Sequence, residues 1–181
     1  MRCTWLLVVL AVLPGLAGVA CDDSEDSAAP AASASPESRL PEGLILASEP
    51  DGAQSVSNLR ASAGDGETVV VRGVVGGRED PIAENRAILT LLDESVETCD
   101  RMETDDGCKT PWDACCTPQE TIAANLATVQ VVDGKGSPLR TSLRGVDRLA
   151  PLARVIVVGK YRPSPDGQAA VIDATGIYIL N

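Results

Sequence analysis

The 181-residue sequence contains no histidine and no phenylalanine, and it has only two tryptophans and two tyrosines. The lack of histidine removes the commonest general base and the commonest metal ligand from any functional hypothesis. The scarcity of aromatic rings argues against binding of single-stranded nucleic acid, which needs stacking side chains in a basic groove. The G-x-S-x-G and P-loop signatures are also missing. We therefore predict that the protein is not an enzyme.

Basic residues are also in short supply, since 15 Lys and Arg face 26 Asp and Glu, a formal charge of −11. Such a charge opposes non-specific binding to nucleic acid and to anionic lipid head groups. Basic residues are unevenly distributed along the chain. From Gly66 onward, outside the range 93–113, there are ten basic and nine acidic residues, so we keep a local basic surface as a hypothesis. Its candidate residues, which could contact a ligand, are Arg72, Arg78 and Arg86.

The apolar run from Trp5 to Leu13 is too short to span a bilayer, which takes about 20 helical residues. A short positive head containing Arg2 precedes it, and Pro14 and Gly15 interrupt it. This arrangement is typical of an export signal. We predict a signal peptide over residues 1–20, whose removal would leave a charge of −12, with 14 basic and 26 acidic residues.

The end of this segment reads LAGVAC, residues 16–21. It resembles the lipobox of bacterial lipoproteins, in which a cysteine after small residues is lipidated before cleavage, although Gly18 stands where the pattern prefers an aliphatic residue. The resemblance implies that Cys21 carries lipid, palmitate included, and anchors the chain to a membrane. Ordinary signal cleavage after Ala20 is the alternative. Cysteine parity favours lipidation, because without Cys3 and Cys21 an even number, four, remains to pair.

Two segments separate the signal from the main domain. Residues 21–43 are predicted to form a lipidated N-terminus and a disordered acidic tether, since acids among Ser, Ala and Pro bury too little apolar area to offset ordering entropy. Residues 44–64 are predicted to contain a short helix that docks on the main domain and a connector. Asp51 would cap that helix, and Val56 and Leu59 would share its buried face.

From residue 65 to residue 181 the pattern predicts one mostly β domain. Five segments are rich in β-branched residues and bounded by turn residues: 68–78, 86–93, 127–133, 154–161 and 169–180. Glycines interrupt the first and fourth, where a strand would coil or bulge.

Apolar residues at three-residue spacing over 141–152 predict a short helix between the third and fourth strands. Three strands, a helix and two strands is the order of a five-stranded OB-like barrel. An immunoglobulin-like sandwich would need about seven strands. We therefore predict the barrel.

Four of the six cysteines fall between the second and third strands, in a predicted Cys-rich insert over 93–126: Cys99, Cys108, Cys115 and Cys116. Thiols oxidise outside the cytosol, and a loop of over 30 residues without a core of its own would gain from stapling. The first interpretation is therefore two disulfides. Adjacent cysteines bond only through a strained ring, so the pairing is Cys99–Cys115 with Cys108–Cys116, or Cys99–Cys116 with Cys108–Cys115.

The second interpretation is a metal site in which all four thiolates bind one ion, expected to be zinc, although no C-x-x-C pair is present. Redox catalysis is disfavoured because acidic neighbours would raise the thiol pKa values. The same acids lack the alternating spacing of a calcium loop. They are Asp100, Glu103, Asp105, Asp106 and Asp113.

Two further features flank the cysteines. Thr117 to Glu120 reads as a capping box with proline at the first helical position, which predicts a short helix over 122–126. Trp112 is expected to pack over the sulfurs or over the barrel mouth. Stacking of Trp112 on a ligand is the minor alternative.

The Trp112-centred cysteine cluster, GCKTPWDACC over 107–116, is the most specific signature of the sequence. Around it stand Cys99 and four other segments: VVVRGVVGGR (69–78), LTLLDES (89–95), VQVVD (129–133) and ATGIYIL (174–180). Together they resemble a group of uncharacterised bacterial exported lipoproteins with an OB-like β-barrel domain. The resemblance covers roughly the last two-thirds of the chain. It implies a fold and a location, and it carries no established activity.

These observations predict a non-enzymatic, membrane-anchored module of the bacterial cell envelope with an OB-like fold and a disulfide-stapled loop. It would sit on the periplasmic face or the cell surface and bind an unknown protein or small ligand, without a cofactor. The alternative is an envelope protein that binds zinc through the four cysteines. Oligonucleotide binding comes last.

Overall fold

The architecture is mostly β, in a computed structural model that describes residues 39–102, 108–164 and 169–180. The strands are β1 (Gln54–Ser55), β2 (Thr68–Val75), β3 (Ile88–Leu92), β4 (Leu126–Gln130), β5 (Arg154–Pro163) and β6 (Ala170–Ile179). The helices are α1 (Val56–Ser62), α2 (Gln119–Ala124) and a single 3-10 turn at Cys99–Arg101. None of the helices in these described ranges has the length and apolar character needed to cross a bilayer.

Five of the strands close into a barrel in the order β2–β3–β4–β6–β5. Neighbouring strands are antiparallel except β4 and β6, which run parallel. An antiparallel ladder between β2 and β5, from Thr68 opposite Lys160 to Val74 opposite Arg154, completes the ring. Closure pairs the two strands that would otherwise be edges. The mostly β class and the five barrel strands are thus confirmed.

Alternate side chains of each strand fill the barrel, as a half-buried strand with a period of two requires. In β2, Val69 and Val71 are buried while Thr68 is exposed. The same inward rows of β3 and β4 supply Leu89 and Val129, both fully buried. Each such side chain stabilises the fold by about 1.5–3 kcal/mol through burial.

Two glycines occur where the barrel wall leaves no room for a side chain. A Cβ at Gly73 in β2 would lie 2.6 Å from the carbonyl oxygen of Leu92. At Gly159 in β5 it would overlap the carbonyl oxygen of Asp173, and the β5–β6 register shifts between Val158 and Gly159. The predicted glycine interruption of the fourth strand is therefore a β-bulge.

Helix α1 lies against the barrel and buries Val56 and Leu59, the two residues assigned to its inner face by their spacing. Its cap differs from the predicted one. The side chain of Ser55, not of Asp51, accepts the N–H of Asn58 at 3.2 Å. The reason is that the chain first forms β1 beside β2, so the helix starts four residues later than Asp51 would allow.

The segment before α1 is also fixed to the barrel. The N–H of Leu46 donates to the carbonyl of Ile177 at 2.9 Å, and the N–H of Ile177 donates to the carbonyl of Leu44 at 2.7 Å. Leu40, inside the predicted tether, already packs against the core. The signal peptide, Cys21 and the tether up to residue 38 lie outside the described residues.

The predicted helix over 141–152 is wrong, because residues 131–153 form turns and isolated bridges without a helix. Within 141–152 three residues have left-handed backbones: Gly145 at φ 75°, Asp147 at φ 53° and Leu152 at φ 67°. A right-handed helix cannot continue through them. The turns still bury two of the apolar residues that suggested a helix, Leu143 and Leu149.

Candidate functional site: a thiol cluster

The connection between β3 and β4, residues 93–125, carries the four cysteines, and we refer to it as the cysteine loop. It has a small apolar core of its own, which it shares with the ends of the two strands: Leu92, Val96, Ala114, Ile122 and Leu126. The expectation of a loop without a core is therefore wrong. Burial of these side chains packs the described parts of the loop, residues 93–102 and 108–125, against the ends of the two strands.

Trp112 ties the cysteine loop to the barrel. Its indole Nε1–H donates to the carbonyl of Glu79 at 2.8 Å, and its own carbonyl accepts the N–H of Gly77 at 2.9 Å. A Cβ at Gly76 would lie 2.5 Å from that carbonyl oxygen. The glycines after β2 thus allow the close approach of the Trp112 backbone.

Main-chain hydrogen bonds bring the first and third cysteines of the loop together. The N–H of Cys99 donates to the carbonyl of Asp113 at 2.8 Å, and the N–H of Asp100 donates to that of Pro111 at 2.9 Å. Thr98, which precedes the 3-10 turn, is 1% exposed. Backbone hydrogen bonds therefore hold the segment of Cys99 beside the segment that precedes Cys115.

The sulfurs themselves converge. The Sγ atoms of Cys99 and Cys115 are 3.4 Å apart, and those of Cys99, Cys108 and Cys115 all lie within 4.8 Å of one another. Cys116 lies to one side, with its Sγ 4.0 Å from that of Cys115. No disulfide joins these four described residues, whereas a covalent S–S bond would need a separation of about 2.05 Å.

The distances suit a shared ion. Four thiolates at about 2.3 Å from a zinc ion are about 3.8 Å from one another in a regular tetrahedron. The 3.4 Å between the sulfurs of Cys99 and Cys115 and the 4.8 Å limit for the three converging sulfurs lie on either side of that value. Small side-chain movements would therefore suffice for several of these thiolates to bind one soft cation.

Two thiol pKa values, those of Cys99 and Cys115, are raised as expected and that of Cys108 is lowered, but the causes are burial and hydrogen bonds and not the acidic neighbours. Burial, followed by the hydrogen bond with Cys115, raises the pKa of Cys99 to about 11. Bonds with the backbone and then the hydroxyl of Thr110 lower the pKa of Cys108. For Cys115 the bond with Cys99 lowers the pKa, but contacts with Cys116 and Cys108 and some desolvation outweigh it, so the pKa is raised.

A cleft of about 300 Å³ opens beside the cluster, and we call it the cysteine cleft. One wall comes from the segment after β2 and the other from the cysteine loop. Its lining residues are Gly77, Arg78, Glu79, Asp113, Cys115, Gln119 and Ile122. One residue of the cluster, the exposed Cys115, thus lines a space large enough for a small molecule.

The predicted capping box is wrong. Helix α2 starts at Gln119 with Pro118 at the N-cap position and without a side-chain capping bond. The N–H of Thr117 donates to the carbonyl of Ala114 at 2.9 Å, so Thr117 belongs to the preceding turn and is one residue too early to cap the helix.

The three arginines proposed as a basic face lie in different settings. Arg78 lines the cysteine cleft, and Arg86 is exposed just before β3. Arg72 in β2 has its Nε 3.8 Å from an oxygen of Glu94. The same oxygen accepts two bonds of 2.9 Å from Nε and Nη2 of Arg154. No local sequence pattern indicates this last pair, because its members are 60 positions apart.

A larger cleft, of about 410 Å³, is lined in part by this ion pair. Its lining mixes two apolar residues with charged and polar ones: Val74, Glu94, Thr98, Asp100, Arg101, Leu152 and Arg154. Two of its four charged residues, Glu94 and Arg154, pair with each other.

Fold and site together define a closed five-stranded β-barrel with a backbone-positioned thiol cluster on one connection. Comparisons of the chain with protein-family models, with curated proteins and with solved structures gave no match.

Proposed function

We propose that this chain is a non-enzymatic, membrane-tethered module of the bacterial cell envelope that binds a soft metal ion, expected to be zinc, through its thiol cluster. The observation that carries the metal function is the convergence of three sulfurs within 4.8 Å on a loop ordered by its own core. Cysteine thiolates are preferred ligands of zinc and other soft ions. Without histidine in the chain, the sulfurs are the natural donors.

The barrel is of the OB type in this proposal. Its five strands follow the order first, second, third, fifth, fourth and back to the first, with the third and fifth parallel. That order supports a five-stranded Greek-key barrel of the OB kind. The turns over 131–153 take the place of the expected helix between the third and fourth strands.

The tether places the barrel near a membrane. Cys21 would carry the lipid, because LAGVAC at residues 16–21 is similar to a lipobox. Several acyl chains on one cysteine would anchor the protein firmly, whereas a single chain would bind only marginally. Labelling with radioactive palmitate should mark the protein and fail to mark Cys21→Ser. Equal labelling of both would remove the lipid from the proposal.

A disulfide-stapled interaction module is the second candidate. One of the two predicted pairings would bond Cys99 to Cys115, whose Sγ atoms are 3.4 Å apart. Their sulfurs would have to move about 1.4 Å closer to bond. The second bond would then join Cys108 to Cys116. In this form the loop would present a protein-binding surface in place of a metal site.

Intact-mass measurement on the mature, detergent-solubilised protein separates the two candidates. We expect a native mass that includes one metal ion and, after unfolding without reductant, four thiols that react with iodoacetamide. Cys99→Ser should lose the ion. A metal-free protein that has lost four hydrogens and resists alkylation would show the stapled form and contradict metal binding.

A further inference from the structure

We infer that the ion is held by Cys99, Cys108 and Cys115 and keeps an open fourth position toward the cysteine cleft, where it accepts an exogenous thiolate. This inference rests on the proposed metal function and adds a ligand to it. Its basis is the position of the fourth cysteine and of the cleft relative to the three converging sulfurs.

Cys116 is the only other thiol in the described part of the loop, and it stands outside the set. Its Sγ is 4.0 Å from that of Cys115, but it is not among the three sulfurs that all lie within 4.8 Å of one another. A closed four-thiolate site would need it about 3.8 Å from each of the others. The geometry therefore supplies three ligands and leaves the fourth position to another donor.

The cysteine cleft offers access to that position. Cys115 is exposed and lines the cleft, which at about 300 Å³ can admit a small thiol. Zinc sites with three protein ligands keep an exchangeable fourth position, whereas structural sites are closed. A site open to a cleft of this size belongs to the first kind.

The cysteine cleft is lined by two acidic residues and one arginine, and a thiolate ligand would be stabilised near that arginine. A divalent ion with three thiolates carries a net charge of −1, and Glu79 and Asp113 also line the cleft. Asp113 is partly compensated, since its Oδ1 accepts the N–H of Ala114 at 2.8 Å. Arg78 is the cation among the lining residues, and its charge offsets that of an incoming thiolate. A soft sulfur donor also matches the metal better than oxygen anions do.

The exchange is a ligand substitution and not a redox reaction. The incoming sulfur forms a bond to the metal as the bond to a coordinated water breaks. The thiol proton passes to solvent, and no electron is transferred. The three protein thiolates stay bound throughout.

Cobalt(II) in place of zinc provides the readout, because its ligand-field bands and its sulfur-to-metal charge-transfer band report the number of sulfur ligands. We expect the cobalt-loaded full-length protein to show a three-sulfur spectrum that changes to a four-sulfur spectrum on titration with 2-mercaptoethanol. Cys116→Ser should retain cobalt and the same response, whereas Cys99→Ser should lose cobalt.

Arg78→Gln should weaken the thiol affinity about two- to five-fold, the effect of one exposed charge. Arg86→Gln, which removes an exposed arginine outside the cleft, should leave it unchanged.

A four-sulfur spectrum before thiol is added, abolished in Cys116→Ser, would show that Cys116 closes the site and would overturn the inference while upholding the metal function. A three-sulfur spectrum that 2-mercaptoethanol does not alter would also overturn it. Failure of the wild-type protein to bind cobalt or zinc would instead contradict the metal function itself.

Discussion

The carboxylate of Asp93 accepts the backbone N–H of Ser57 at 2.9 Å, which joins the start of the cysteine loop to the first turn of α1. Asp93 is 3% exposed, and its other oxygen accepts the N–H and the hydroxyl of Ser95. A carboxylate so enclosed is stable only because these donors replace water. This single side chain therefore connects the helix, the barrel and the candidate site.

Replacement of Asp93 by asparagine should destabilise the fold by about 1–3 kcal/mol, because donors would be left unmatched at a buried site. Urea unfolding measures the change. Glu94→Gln is the matched control, since Glu94 pairs with Arg154 at the partly exposed surface and should contribute less than about 1 kcal/mol. Equal losses in the two variants would contradict the special position of Asp93.

The stabilisation by Asp93 should depend on pH. Burial alone would raise the pKa of Asp93, but the N–H groups of Ser57 and Ser95 and their hydroxyls lower it below its usual value. Its contribution is then complete above the unfolded-state pKa of about 3.9 and is lost as the pH falls below that value toward the folded pKa. The difference in unfolding free energy between wild type and Asp93→Asn should stay constant above about pH 5 and shrink as the pH falls from about 4 toward the folded pKa. A constant difference below about pH 4 would refute this assignment.

Gly159 should not tolerate a side chain. A Cβ there overlaps the carbonyl oxygen of Asp173 and lies 2.8 Å from Cγ2 of Ile172, so Gly159→Ala should cost about 1–3 kcal/mol. Gly134→Ala is the control, because a Cβ at Gly134 meets no atom within 4 Å. The control should be neutral or more stable by up to about 1 kcal/mol. Thermal unfolding of both variants measures these changes. A melting temperature of Gly159→Ala equal to that of the wild type would argue against the bulge.

Trp112→Phe should loosen the cysteine loop without unfolding the barrel. The variant keeps a ring but loses the hydrogen bond to the carbonyl of Glu79, worth about 0.5–1.5 kcal/mol. Amide hydrogen exchange should accelerate at Gly77, whose N–H bonds to the Trp112 carbonyl. The amide of Val157 in β5 serves as an internal reference. Unchanged exchange at Gly77 would show that the loop is held elsewhere.

The barrel strands could be predicted because each is a local run of β-branched residues between turn residues. Where a local pattern misled, the tertiary structure used the same residues differently. Leu143 and Leu149 are buried as a helical spacing suggested, but they reach the core through turns with left-handed Asp147 and Leu152. Aspartate is one of the residue types enriched in such a backbone, but leucine is not, so the local sequence does not indicate the conformation of Leu152.

The arrangement of the site depends on contacts between residues far apart in sequence, and for that reason it could not be predicted. The four cysteines could be singled out by number and spacing, but their loop core joins Val96 to Ile122, and the backbone bond of Cys99 to Asp113 spans 14 positions. The partner of Arg154 is likewise far away in sequence, at Glu94. Such pairings follow from the closed barrel and not from a local period.

Zinc K-edge X-ray absorption on the mature protein, purified without reductant and supplied with one equivalent of zinc, tests the central claim most directly. We predict a shell of three or four sulfur atoms at about 2.3 Å from the metal. The signal should be lost in Cys99→Ser and retained in Cys21→Ser, since Cys21 belongs to the predicted lipid anchor. A spectrum with only oxygen or nitrogen neighbours, or a protein that retains no zinc, would contradict the account.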